Sequence, residues 1–246
     1  MKSLKRILVG TYIVLIILLL LGLVKCDGPS VTPHNPPIQE TFKADVVFCI
    51  DCTGSMGGMI STIKKNALNF YSDMKEKCLT YGKEITSMRI KVIAFRDLSD
   101  TFMYEPSLFY TFPLQEQSFN SFVSNLSANG GGDAPEIAYD ALGLAIDSDW
   151  LNEADVHQVI ILWTDAPSHP LSSSIPGPSS FEQMTNYWNS KMNPQSKRLI
   201  LFAPDDVTWT SITDTWDKTI RHDVALGSGL SDLDYEKIIR ALSESI

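Results

Sequence analysis

From Ala44 onward the chain alternates between unbroken apolar runs and stretches whose apolar residues recur every three or four positions. Val46, Val47, Phe48, Cys49 and Ile50 form the first run, with no polar residue between them. A strand apolar on both sides suits a parallel sheet covered on both faces. Met88 to Phe95 reads as a second strand and Phe109 to Phe112 as a short edge strand. Val159 to Trp163, Leu199 to Ala203 and Thr219 to Ala225 read as three more. Helical spacing links Met59, Ile60, Ile63, Ala67, Phe70, Tyr71, Met74 and Cys78, and later Phe119, Phe122, Val123 and Leu126. Pro135 to Ile146 and Trp209 to Trp216 read as further helices. Tyr235, Ile238, Ile239 and Leu242 give a closing helix its face. Ala166 to Ser180, rich in Pro and Ser, reads as a loop. Alternating units of this kind predict a doubly wound α/β fold: a mostly parallel central sheet, helices on both faces and one antiparallel edge strand.

The N-terminus follows a different pattern. Lys2, Lys5 and Arg6 precede an uncharged run from Ile7 to Val24. That run is long for a signal-peptide core of about 7–15 residues. It falls within the roughly 17–25 residues that span a bilayer. The basic flank favours a cytoplasmic N-terminus and places the remainder outside. Residues 1–25 therefore read as a membrane anchor or signal segment. Cys26 leaves a lipoprotein or a cleaved, secreted form as alternatives, although Lys25 stands where a lipidation signal has a small residue. Pro29, Pro33, Pro36 and Pro37 make residues 26–43 a semi-extended linker, and 44–246 is the domain.

Composition narrows the function. The 246 residues suffice for one sizeable domain. A net charge of −9 argues against a nucleic-acid surface. The four cysteines do not describe a disulfide scaffold. Cys52 and Cys78 in particular lie too far apart, about 30 Å along the predicted helix. His34, His157, His169 and His222 have no zinc spacing.

The candidate chemistry sits where the first strand stops, in Ala44 to Met56, ADVVFCIDCTGSM. Asp51, Thr53 and Ser55 place oxygen side chains at alternate positions of a tight loop that Gly54 lets turn. Alternate residues of an extended segment point the same way, so these oxygens can converge on a hard divalent cation. Asp165 also ends a predicted strand, and ligands of open α/β sheets bind at strand carboxyl ends. Two near misses fall away. In aspartic proteases the acid directly precedes the hydroxyl, and here Cys52 intervenes. Aspartyl-nucleophile phosphohydrolases need a second acid where this chain has Thr53.

DCTGSM, with GGGDAPEIAYDAL (Gly130 to Leu142) and VIILWTDAP (Val159 to Pro167), resembles the metal-ion-dependent adhesion site of von Willebrand factor A domains. The resemblance covers Ala44 to the C-terminus and implies a Rossmann-like fold. It implies Mg²⁺, or Mn²⁺ or Ca²⁺, held by Asp51, Thr53, Ser55, a residue of the second piece, and Asp165. Many relatives have a threonine in the second piece. Counting back from Ala141-Leu142 gives Glu136 instead, which looks like the form found in integrin β subunits. Asp133 is then a neighbour: a support to the ligands, part of an adjacent calcium site, or a helix cap. Asp97 is a weaker candidate for the same surroundings, alternatively an ion-pair partner of Arg96. Whether Asp133 or Glu136 is the direct ligand stays open at this point.

The resemblance implies a binding module, not an enzyme, that recognises a carboxylate on a protein partner through the cation. The alternatives are a metal-dependent hydrolase of the same α/β class and a structural domain that binds no metal. No general base for a hydrolase stands out in the sequence.

Overall fold

The computed structural model describes residues 36–58, 60–225, 239, 240 and 243. The anchor run, Cys26 and most of the closing helix face lie outside the described residues. Among the described residues no helix is long and apolar enough to cross a membrane.

The first strand, β1 (Glu40–Asp51), is buried along nearly its whole length. Its two faces serve two cores, as the unbroken apolar run requires. Val46, Phe48 and Ile50 point into one, Val47 and Cys49 into the other. A 3₁₀ turn, Gly54–Gly58, leads into α1 (Ile60–Thr80). Ile60, Ile63, Ala67, Phe70, Met74 and Cys78 make the buried stripe of α1. Such a stripe is worth roughly 1.5–3 kcal/mol per large side chain. Strand β2 (Lys83–Phe95) runs parallel to β1 and starts five residues earlier than its apolar run. The antiparallel edge is built in two segments on β2. They are β3 (Tyr104–Pro106), against Ile93 to Phe95, and β4 (Tyr110–Phe112), against Met88 to Ile90. Helix α2 (Glu116–Asn125) follows, burying Phe119 and Val123 on the α1 side.

Helix α3 (Ala138–Ile146) starts three residues later than the sequence reading has it, because Pro135 to Ile137 are held as a strap described below. Strand β5 (Val156–Trp163) pairs with β1 on the side opposite β2. Helix α4 (Phe181–Ser190) was not anticipated from the sequence. Strand β6 (Lys197–Pro204), helix α5 (Val207–Thr215) and strand β7 (Thr219–Val224) complete the described order. Among the described residues the sheet has seven strands, ordered β3-β2-β1-β5-β6-β7 with β4 also on β2. Helices α3, α4 and α5 cover the second face, where Trp188 and Trp209 are fully buried. Of the closing helix, Ile239 is described and is buried in the first core. Cys49, Cys52 and Cys78 are buried free thiols.

Successive strands run outward from β1 in both directions, so the topological switch lies between β1 and β5. The carboxyl ends of these two strands carry Asp51 and Asp165. At the opposite rim Asp45, buried, takes Arg89 Nε at 2.8 Å and the Leu151 N–H at 2.8 Å. That carboxylate is satisfied and structural.

Candidate metal centre

Parallel register sets the first contacts. Ile50 faces Trp163 across β1 and β5, so the next residues, Asp51 and Thr164, meet just beyond the ladder. Thr164 Oγ1 donates to Asp51 Oδ2 at 2.6 Å. The Thr53 N–H and hydroxyl both donate to Asp51 Oδ1, at 2.9 and 2.6 Å. Thr53 Oγ1 and Ser55 Oγ are 3.3 Å apart, and Ser55 Oγ donates to Asp165 Oδ1 at 2.9 Å. Asp51, Thr53, Ser55 and Asp165 therefore form one connected chain of oxygens at the switch point. Thr164 is a member that sequence reasoning missed. Its place directly before Asp165 at a strand end was the available signal.

The glycine run reaches the same point from the other side. The Gly54 N–H donates to Gly130 O at 3.1 Å, and the Asn129 N–H to Cys52 O at 2.9 Å. Gly131 has φ +83°, and a Cβ there would sit 3.4 Å from both Glu136 Oε1 and Thr53 Cβ. A side chain would be strained and would fill the space between Thr53 and Glu136.

Glu136 is held by its backbone. It pairs with Ser168 as an isolated parallel bridge. Its N–H donates to Pro167 O at 3.0 Å, and its carbonyl accepts from the His169 N–H at 2.7 Å. The next N–H, of Ile137, donates to Arg96 O at 3.1 Å. This strap ties the second sequence piece to the carboxyl ends of β2 and β5. Glu136 is 4% exposed, and its Oε2 has no hydrogen-bond partner among the described residues.

Thr53, Ser55, Asp133, Glu136 and Asp165 line a cleft of about 250 Å³, with Asp51 behind them. Among the described residues no Lys, Arg or His is in its wall. Burial pushes the Glu136 carboxyl up to about 9, and Asp51, Asp97, Asp100 and Asp133 add to the effect. Burial also pushes Asp51 up to about 6, against the hydrogen bonds from Thr164 and Thr53. Acids gathered without a base, with one buried carboxyl oxygen unpartnered, are a donor set that fits a hard divalent cation.

Asp133 lines the cleft but turns elsewhere. Its Oδ1 is 3.4 Å from His169 Nε2, which is 3.6 Å from Asp97 Oδ1. Asp97 Oδ2 accepts from the Gly132 N–H at 2.9 Å and from Ser99 Oγ at 3.1 Å. Burial works to raise Asp97, yet hydrogen bonds from Ser99, Gly132 and Asp133 outweigh it and hold the carboxyl below its usual range. Ligand atoms of Asp97, Asp133 and His169 lie within 4.8 Å of one another, so this trio too could hold an ion. His169 comes from the β5–α4 loop and carried no spacing signal in the sequence. The alternative ion pair of Arg96 with Asp97 does not form. Neighbouring side chains at a strand end point to opposite sides, and Arg96 donates instead to Phe102 O and Ser127 O.

No protein-family model matches the chain. A curated relative, the alpha-protein kinase vwkA of Dictyostelium discoideum, is 29% identical over 167 residues, 63% of this chain and 25% of the kinase. Proximal thread matrix protein 1 from the mussel byssus, solved with a zinc-occupied MIDAS motif, superposes with a TM-score of 0.52. It is 13% identical and is matched over 82% of this chain and 45% of its own. A von Willebrand factor type A protein from Catenulispora acidiphila gives 0.51 at 13% identity, over 83% of this chain and 43% of its own. The chain thus spans a quarter of the kinase and less than half of each solved structure. These likenesses show that the chain has a von Willebrand factor A-like fold.

Proposed function

We propose that this protein is a von Willebrand factor A-type binding module, not an enzyme, which uses a divalent cation to recognise a carboxylate on a protein partner. Asp51, Thr53, Ser55, Glu136 and Asp165 would hold the cation, Mg²⁺ or else Mn²⁺ or Ca²⁺, in the adhesion-site form that has glutamate at position 136. The observation that carries the reading is the buried Glu136 Oε2, unpartnered among the described residues, beside the linked oxygens of Asp51, Thr53, Ser55 and Asp165. Bound there, the cation supplies a positive charge to an incoming carboxylate. One unit charge at 4 Å is worth about 4 kcal/mol at an effective dielectric constant near 20. Thr164 orients Asp51, and the Glu136 strap keeps the strand ends in register. The zinc-occupied motif of the mussel protein supports a divalent ion at such a rim. The likeness to the kinase covers a quarter of that protein, and no kinase activity is proposed.

The N-terminal run and its basic flank support display of the domain outside the cytoplasm, on an anchor or on a lipid at Cys26. Calorimetric titration of the full-length chain with Mg²⁺, Mn²⁺ and Ca²⁺ tests the metal. Pull-down with a crosslinker, in Mg²⁺ and in chelator, tests the partner. Saturable metal binding with partners retained only in Mg²⁺ is the expected result. Heat of binding absent for all three ions rejects the reading.

A further inference from the structure

A second cleft of about 740 Å³ adjoins the metal cleft, and Gly130 forms part of both walls. It opens between the β2–β3 loop and the segment that leaves α2. Arg96, Asp100, Phe102, Tyr104, Glu105 and Asn125 are among its lining residues. Its volume is in the range of specific ligand sites.

Arg96 builds this cleft from below. The residue is buried, 8% exposed, with Nη1 donating to Phe102 O and Nη2 to Ser127 O, each at 3.2 Å. One guanidinium thus ties the two walls together and sets their separation. Gly130 has φ +76°, and a Cβ there would fall 2.2 Å from Asp100 Oδ1. A side chain at 130 would collide with Asp100, so the wall the two clefts share there is bare backbone.

The open face has a definite chemistry. Asp100 Oδ2 accepts the N–H groups of Asp97 and Gly131, at 3.2 and 3.0 Å. Neither Asp100 nor Glu105 belongs to an ion pair among the described residues. Two carboxylates over one buried guanidinium leave the cleft net negative. Phe102, 75% exposed, and the half-buried Tyr104 add aromatic surface. Carboxylate oxygens beside aromatic faces suit a lysine or arginine side chain, through charge-assisted hydrogen bonds and cation–π contact. An acidic group entering the same space would meet Asp100 and Glu105.

We propose that this cleft is the second anchor of the partner, taking a lysine or arginine from the segment whose carboxylate reaches the cation. The inference rests on the carboxylate reading above and adds the partner's charge pattern to it. Arg96 is a positioning residue that holds the walls, and Glu105 is the contact residue.

Selection from a displayed library of random twelve-residue peptides tests it. The full-length chain is the bait, with binding in Mg²⁺ and elution by chelator. The expected pool is enriched in Asp or Glu, with Lys or Arg a few residues away at about three- to fivefold its library frequency. With Glu105→Gln as bait, the acid enrichment persists and the basic enrichment disappears. Acid enrichment without the base, or a basic preference unchanged by Glu105→Gln, overturns the second anchor. A pool with no acid enrichment overturns the carboxylate reading itself, and the inference with it.

Discussion

Both carboxylate oxygens of Asp51 are engaged within the candidate site, since one takes both donors of Thr53 and the other takes Thr164. Asp51→Asn preserves shape and one acceptor while removing the charge a cation needs. Mg²⁺ at a hundredfold excess over its Kd stabilises a one-site protein by about 2.7 kcal/mol. For a chain of this size that is about 5–10 °C in Tm. We expect this rise for the parent and none for Asp51→Asn, with unchanged circular dichroism in both; equal rises would remove Asp51 from the metal. Glu136 and Asp133 separate in the same way. Glu136 reaches the side of the cleft where Gly131 and Thr53 lie, whereas Asp133 faces His169. Glu136→Thr should lower metal affinity, because a full negative charge near the cation is lost. It should also strengthen carboxylate binding to the metal-saturated protein, because more of the cation's charge is left for the partner. Asp133→Asn should change the affinity far less. Paired calorimetric titrations decide, and an effect confined to Asp133→Asn would reassign the ligand.

The loop between β5 and α4 is more than a covering for the rim. Ile175 is buried, Pro178 packs on Gly143 of α3, and the Ser172 N–H donates to Asp140 Oδ1 at 3.0 Å. A deletion of Leu171 to Ser179 would uncover α3, so point changes at the exposed Ser173 or Ser174 are the sounder probes of partner contact. Asp140 should make the attachment pH-dependent. Burial pushes its carboxyl up to about 6, against hydrogen bonds from the N–H of Ser172 and its own N–H, and against nearby His169. A raised carboxyl pKa favours the protonated form in the folded state. Its stabilising contribution is complete below about 3.8 and is lost as pH rises through about 6. The Tm of Asp140→Asn relative to the parent should therefore climb between pH 4 and pH 7. A constant difference across that range would mean that Asp140 does not titrate there. Helix α4 itself had a legible start. Ser180 accepts the Gln183 N–H at 3.1 Å, an S-x-x-Q beginning hidden behind a run of Pro and Ser. Met184 and Trp188 then face the core four residues apart, and Trp188 stacks on Trp216 at 5.1 Å.

At the scale of the whole molecule, both clefts lie on one rim, at the carboxyl ends of β1, β2 and β5. A binding face there can work only if that rim is presented to its partner. Protease added to intact cells should digest the domain if residues 1–25 anchor it outside; full protection, with the domain in the soluble cytosol, would reject external display. The layered α/β architecture could be read from the chain because a strand buried on two faces has to be apolar at every position. Asp51, Thr53 and Ser55 could be read for a similarly local reason, since alternate residues of one short loop share a direction. Asp165 needed only the end of an apolar run. The rest depended on strand order and register, which bring together segments far apart in sequence. Thr164 meets Asp51 only because Ile50 lies opposite Trp163. Counting back from Ala141-Leu142 points to Glu136, but its direction is set by the strap to the β5–α4 loop, which turns it toward Thr53 while Asp133 faces His169. Arg96 leaves Asp97 for two carbonyls on separate loops. Local sequence determines which way a side chain points along its own element, whereas the packing of distant elements decides what it finds there.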